Sequence, residues 1–148
     1  MKATTKTVAI FAAVVFLVVL DRLFKALAIS LKPEIYLFGD WFRIILAKNH
    51  GIAFSLPLFG WWLNSTIILI IICLLYFFVL KIKKIAYLEA VLALAIILGA
   101  GSNLYDRLKF GYVIDYFSLK YYSIFNIADG LILVGLVCLL WVTVDKNK

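Results

Sequence analysis

Apolar positions in this chain fall in long unbroken runs, with polar residues gathered at the run ends. Residues 8–20 contain no polar side chain, and their helical pattern continues past Asp21 and Lys25 to about residue 29. Residues 61–80 are broken only by Asn64, Ser65 and Thr66, and residues 85–104 carry one charge, Glu89. Residues 123–144 hold Asn126 and Asp129 near their start and are almost wholly apolar afterwards. A helix needs roughly 20 apolar residues to cross about 30 Å of hydrocarbon, and each run meets that length. Barrel strands would alternate with period two, and these runs do not. The pattern therefore predicts four transmembrane helices, at about 8–29, 61–80, 85–104 and 123–144. Asp21-Arg22, rather than a small-x-small cleavage site, follows the first run, so a retained helix is expected there instead of a signal peptide.

The connecting segments are unequal. Residues 81–84 form a minimal turn that makes the second and third helices antiparallel neighbours. Pro33 ends the extension of the first helix. "EIYLFGDWFRIILA" then reads as two strand-like runs around Gly39-Asp40, a pair suited to a tight hairpin turn, and Gly51 marks a second turn. The expected fold is one mainly α membrane domain over residues 1–148. It is a four-transmembrane-helix bundle with a small extracytoplasmic β-sheet or hairpin element at about 34–56.

Composition agrees, with 66% apolar and 16% charged residues against about half apolar for a soluble domain. Lysine density sets the orientation. Residues 1–7, 81–84 and 145–148 hold seven Lys in fifteen residues, against eight Lys and Arg in the 58 residues of the opposite segments. Both termini are expected in the cytoplasm. The net charge of +7 then reflects topology, and no nucleic-acid partner is expected because no basic soluble face is present. Cys73 and Cys138 fall in apolar spans and read as free thiols. The single His50 leaves too few ligands for a zinc site.

Ionisable groups in or beside membrane helices are costly and are candidates for function. Asp21 and Lys25 are spaced i,i+4 in the favourable order and read as an interfacial salt bridge at the outer leaflet. Asn103, Asp106 and Arg107 share one helical face at the end of the third run, either as interfacial trim or as an orienting network in which Arg107 grips a carboxylate. Glu89 is placed to reach the nearby lysines in a structural role. Asp115 lies in an expected loop rich in Tyr and Phe, and Asp129 follows Asn126 by three residues. If Asn126 caps the fourth helix, Asp129 occupies its first turn. The two aspartates read either as a helix cap plus a loop charge, or as a close pair sharing one proton and able to activate water.

Four boxes in one order bear on that choice. "DRLFK" at 21–25, "NHGIAFS" at 49–55, "GAGSNLYDRLKFGYVIDYF" at 99–117 and "FNIAD" at 125–129 resemble those of the lipoprotein signal peptidase family, also called signal peptidase II. The resemblance spans nearly the whole chain. It implies a membrane aspartic endopeptidase that cuts prolipoproteins just before a diacylglyceryl cysteine, in the bacterial cytoplasmic membrane, with its site near the outer face. It implies Asp115 and Asp129 as the catalytic pair and Asn49, Gly51, Asn103, Arg107 and Asn126 as residues lining the site. Asp21, Lys25 and Asp106 match supporting positions. No metal or cofactor is implied. The expected partners are prolipoprotein substrates, membrane lipid and globomycin-type inhibitors, with the protein a monomer. Arg22 stands where that family usually has Gln, Ile52 where it has Ala, and Gly130 where Ser is frequent. The segment between the two aspartates, which normally includes part of a lid, is shorter than usual. The competing classes are a proton-coupled transporter, which would place its acid near mid-membrane, and a non-catalytic scaffold.

Overall fold

The computed structural model describes residues 2–51, 60–121 and 123–145. Its helices are α1 (Lys2–Leu31), α2 (Trp61–Lys83), α3 (Tyr87–Phe110) and α4 (Ile127–Asp145). All four are long and apolar enough to cross a membrane. Strands β1 (Glu34–Leu37) and β2 (Phe42–Asn49) follow α1, and β3 (Val113–Leu119) and β4 (Ile124–Phe125) follow α3. They form one antiparallel sheet in the order β1-β2-β3-β4. The chain is therefore a four-helix membrane protein with a small sheet, as its pattern predicts.

The sheet is wider than a hairpin, and Asp115 lies on strand β3 and not in a loop. The reason the pattern hides this strand is burial. Val113, Ile114, Asp115 and Tyr116 are all buried, so both faces are covered, and no inside–outside alternation survives. α3 likewise runs on to Phe110, so Asn103 and Asp106 lie inside the helix, while Arg107 falls in its last turn. Of the expected outer element, residues 52–56 fall outside the described residues.

Local chemistry explains the boundaries. Lys32 adopts a left-handed φ of 45° after α1, and Pro33 cannot continue the helix. Phe38 and Gly39, at φ 53° and 66°, turn the chain so that Leu37 pairs with Phe42. Gly111, at φ 81°, ends α3 with its N–H on the Arg107 carbonyl, a position where glycine carries no Cβ penalty. On β2 the register passes from Ile44↔Phe117 to Ala47↔Asp115. One extra β2 residue is accommodated there as a bulge, which bends the strand beside Asp115.

α3 is the central helix. It packs against α1, α2 and α4 and buries Ala90, Ala93, Ala95, Gly99 and Ser102. Lipid offers helices no hydrophobic gain on pairing, so close approach through small residues supplies the packing. A Cβ on Gly99 would lie 2.7 Å from the Ala128 carbonyl oxygen, and one on Gly135 would lie 2.9 Å from Ile96 Cγ1. The sheet rests on the bundle through Ala28, Ile114 and Tyr116, with Phe24 stacked on Tyr116 at 5.5 Å between ring centroids.

Gly99→Ala is expected to destabilise the protein by about 1–3 kcal/mol, the usual cost of overpacking. A melting curve in detergent checks it, and an unchanged midpoint would contradict the tight α3–α4 contact.

Candidate active site

The sequence places a costly acid, Asp129, in the first turn of α4, and that turn organises the site. A helix start leaves N–H groups without intrahelical partners. Here each of the first three finds an acceptor. Ile127 N–H donates to the Tyr116 hydroxyl (3.0 Å), Ala128 N–H to Asp21 Oδ1 (3.2 Å) and Asp129 N–H to Asn126 Oδ1 (2.9 Å). Asp129 Oδ2 accepts in return from the Asn126 N–H at 3.2 Å. Asn126 and Asp129 thus form a reciprocal cap with Asp in the place usually taken by Glu or Gln.

Asn126 also reaches the other acid. Its Nδ2 donates to Asp115 Oδ1 at 2.6 Å. Asn49 Nδ2, at the end of β2, donates to Asp115 Oδ2 at 3.0 Å. Asn103 Nδ2, from α3, donates to Asp129 Oδ1 at 2.7 Å. Each of the four carboxylate oxygens therefore receives one hydrogen bond from a neutral amide. Asp115 is buried and Asp129 half-buried. Burial pushes the Asp115 carboxyl up to about 6, the negative charge of Asp129 adds to this, and the hydrogen bonds from Asn49 and Asn126 and the charge of Lys25 act the other way.

Beneath the pair lies a charged layer. Asp21, Lys25 and Asp106 are each 0% exposed. Lys25 Nζ lies 3.0 Å from Asp21 Oδ2, 2.8 Å from Asp106 Oδ2 and 2.8 Å from Asn103 Oδ1. Arg22 Nη1 meets Asp106 Oδ1 at 2.7 Å, so two cations balance two anions. The Asp21–Lys25 salt bridge that the spacing suggested is present, and it is fully buried in the protein as part of a larger charged cluster. The cluster forms because α3 delivers Asp106, Ser102 and Asn103 onto the same face of α1. Lys25 connects to Asp129 through Asn103, whose Oδ1 accepts from Lys25 and whose Nδ2 donates to the carboxylate.

Gly51 and Arg107 meet each other. Arg107 Nη2 donates to the Gly51 carbonyl at 3.0 Å, and Gly51 N–H donates to Asn49 Oδ1 at 3.1 Å. Arg107 makes no bidentate grip on a carboxylate among the described residues, and its buried Nε has no hydrogen-bond partner there. Glu89 lies apart, near Lys81 at 4.0 Å. Sequence reasoning missed three contributors. Ser102 Oγ donates to Asp21 Oδ2 at 2.6 Å, Arg22 balances Asp106, and the Tyr116 hydroxyl donates to Asp21 Oδ1 at 3.0 Å. Ser102 was within reach, one helical turn before Asp106 on the same face. Tyr116 was not, because its partner is 95 residues away.

Four membrane-length helices, with two carboxylates that share one asparagine at one end, define a polytopic membrane protein. The chain belongs to the signal peptidase II family, whose model matches residues 13–144. It is accordingly a membrane aspartic peptidase, a hydrolase acting on peptide bonds. The lipoprotein signal peptidase of Pseudomonas aeruginosa is 36% identical over 138 residues, covering 84% of this chain and 81% of that protein. The one from Teredinibacter turnerae is also 36% identical, over 118 residues, covering 74% of this chain and 70% of that protein. Two solved bacterial membrane enzyme structures share the fold. One has a TM-score of 0.77 at 23% identity, covering 97% of this chain and 90% of its own, and the other 0.72 at 24%, covering 97% and 95%.

Two outcomes follow from this geometry. Lys25→Ala leaves Asp21 and Asp106 buried without their shared cation, and should cost about 3–5 kcal/mol. A large fall in the detergent melting temperature checks it, whereas a selective loss of turnover with an unchanged melting profile would contradict it. Asp115 binds its proton more tightly in the folded chain than its ordinary value of 3.8 allows. Its contribution to stability is full below that value and is lost as pH rises through about 6. The melting temperature of Asp115→Asn relative to the parent should therefore rise between about pH 4 and pH 6 and level off above that, and a pH-independent offset would contradict the raised carboxyl.

Proposed function

We propose that this protein removes the signal peptide from diacylglyceryl-modified prolipoproteins by cutting before the lipidated cysteine, with Asp115 and Asp129 as the pair that activates water. The family membership and the names of the relatives support the substrate class. The observation that carries the catalytic assignment is Asn126, which bonds both aspartates at once.

The chemistry needs one ionised and one protonated carboxyl, and a close acid pair holds that state because both members do not ionise easily together. The shared proton belongs to the pair. The ionised member takes a proton from water as the oxygen attacks the scissile carbonyl carbon. The protonated member donates to the carbonyl oxygen, giving a neutral gem-diol. The first carboxyl then delivers its proton to the leaving amine nitrogen, the C–N bond breaks, and a proton from the gem-diol hydroxyl returns to the second. Asn49, Asn103 and Asn126 hold the carboxylates through neutral donors, so both stay available for proton transfer and neither is locked to a cation. Gly51 and Arg107 line the same end of the bundle, with Asp21, Lys25 and Asp106 as supports. No metal or cofactor enters any step.

The lysine distribution supports cytoplasmic termini and a site facing the outer leaflet of the bacterial cytoplasmic membrane. A lipid-anchored peptide presents its scissile bond at that depth. Membrane lipid and globomycin-type inhibitors complete the expected contacts of a monomeric, single-domain enzyme.

Asp115→Asn and Asp129→Asn should each fold and lose cleavage of a diacylglyceryl prolipoprotein in detergent by roughly 10²–10⁴-fold, the usual contribution of a general acid or base. Wild-type turnover in either variant would remove the pair from the mechanism.

A further inference from the structure

Tyr116 is among the largest fully buried side chains, and its hydroxyl sits inside the polar centre. The ring stacks on Phe24 and meets Phe117 edge-on at 4.7 Å, which would serve equally well with phenylalanine. The hydroxyl does something a phenylalanine cannot. It donates to Asp21 Oδ1 at 3.0 Å and accepts the Ile127 N–H at 3.0 Å. The same Asp21 oxygen accepts the Ala128 N–H at 3.2 Å. One phenol and one carboxylate oxygen therefore clamp the two peptide N–H groups that lead into Asp129.

We propose that Tyr116 is a positioning residue, whose hydroxyl sets the first turn of α4 and through it the alignment of Asp129 with Asp115. The proposal rests on the acid-pair reading above and deepens it. Tyr116 follows Asp115 directly on β3, so the clamp joins the strand that carries one acid to the helix that carries the other. Without the hydroxyl, the part-buried Ile127 N–H loses its acceptor at this position, and a donor left unpaired away from solvent is costly. A shift of this N–H carries the neighbouring cap with it, because Asn126 bonds both carboxylates. Displacements of about 1 Å at reacting groups cost up to roughly 10²-fold in rate. The groups facing the Tyr116–Asp21 contact are Lys25, from α1, and Ser102, from α3, both bonded to Asp21 Oδ2. Burial and the adjacent Asp21 push the phenol up, which keeps it the donor in this pair.

Tyr116→Phe tests the proposal on the full chain in detergent. The expected result is about a tenfold fall in kcat with KM changed by less than about twofold, a displaced pH–kcat profile and faster amide exchange at Ile127 and Ala128. Wild-type kcat and pH profile in a folded Tyr116→Phe protein would overturn it. So would a melting temperature that drops while kcat of the folded fraction is unchanged, which marks a structural role only. Amide exchange in the wild-type protein adds an independent reading, since Ile127 and Ala128 must be strongly protected, and exchange at the rate of exposed amides overturns the clamp whatever the variant does. Failure of the acid-pair reading looks different. It leaves Asp115→Asn and Asp129→Asn active, while the exchange measurement on Tyr116→Phe still reports on the clamp.

Discussion

The start of α4 is the constraint on which the polar centre depends. A helix beginning inside a membrane protein brings unpaired N–H groups into a place where water does not satisfy them. This chain answers with three acceptors drawn from three elements. Asp21 comes from α1, Tyr116 from β3, and Asn126 from the cap itself. Meeting that one requirement ties the helical bundle to the sheet, and it places Asp129 in the same step. Asn126 then has an amide group left over, and it is aimed at Asp115. The helix cap and the asparagine that bonds both acids are therefore one arrangement. Of the readings that the sequence left open, the cap at Asn126 is present, Asp115 lies on a strand instead of a loop, and Asn126 bonds each acid.

The buried charge layer beneath has a different logic. A lone lysine at zero exposure among membrane helices would be severely penalised. Lys25 is held between two carboxylates, and Arg22 completes the balance. Desolvation offsets much of the attraction in a buried ion cluster, so its net contribution to stability is small even though removing one member is costly. Here the arrangement fixes α1 against α3. It also points Asn103 at Asp129, with its carbonyl oxygen held by Lys25. The neutral amides nearer the acids are a separate device. They orient Asp115 and Asp129 without supplying a full counter-charge, and burial is left free to raise the Asp115 carboxyl.

The sheet supplies the remaining side of the centre. β2 delivers Asn49 and leads into Gly51, and β3 delivers Asp115 and Tyr116. The bulge between Ile44 and Ala47 shifts the β2 pairing just where Asp115 is reached. The segment between the two acids is largely spent on β3, a turn and the short β4, which pairs with Phe117 and Ser118. That length is enough to carry the chain from one acid to the other through a paired strand.

The four helices were legible in the sequence because a bilayer imposes a length and a composition that single runs of residues must meet alone. The acids, their cap and the motif order were legible too, since each is local or nearly so. Asp129 three residues after Asn126 already describes a capped first turn. What tertiary structure decided was every partnership across the chain. Lys25 with Asp106, Tyr116 with Asp21 and Arg107 with Gly51 are separated by tens of residues, and no spacing rule connects them. The same holds for β3, whose two covered faces erase the alternation that would have revealed it. The Asp21–Lys25 spacing correctly placed two charges on one face of α1. Only the arrival of α3 on that face built the salt bridge into a buried charged cluster, because burial belongs to the packed assembly and not to any one segment.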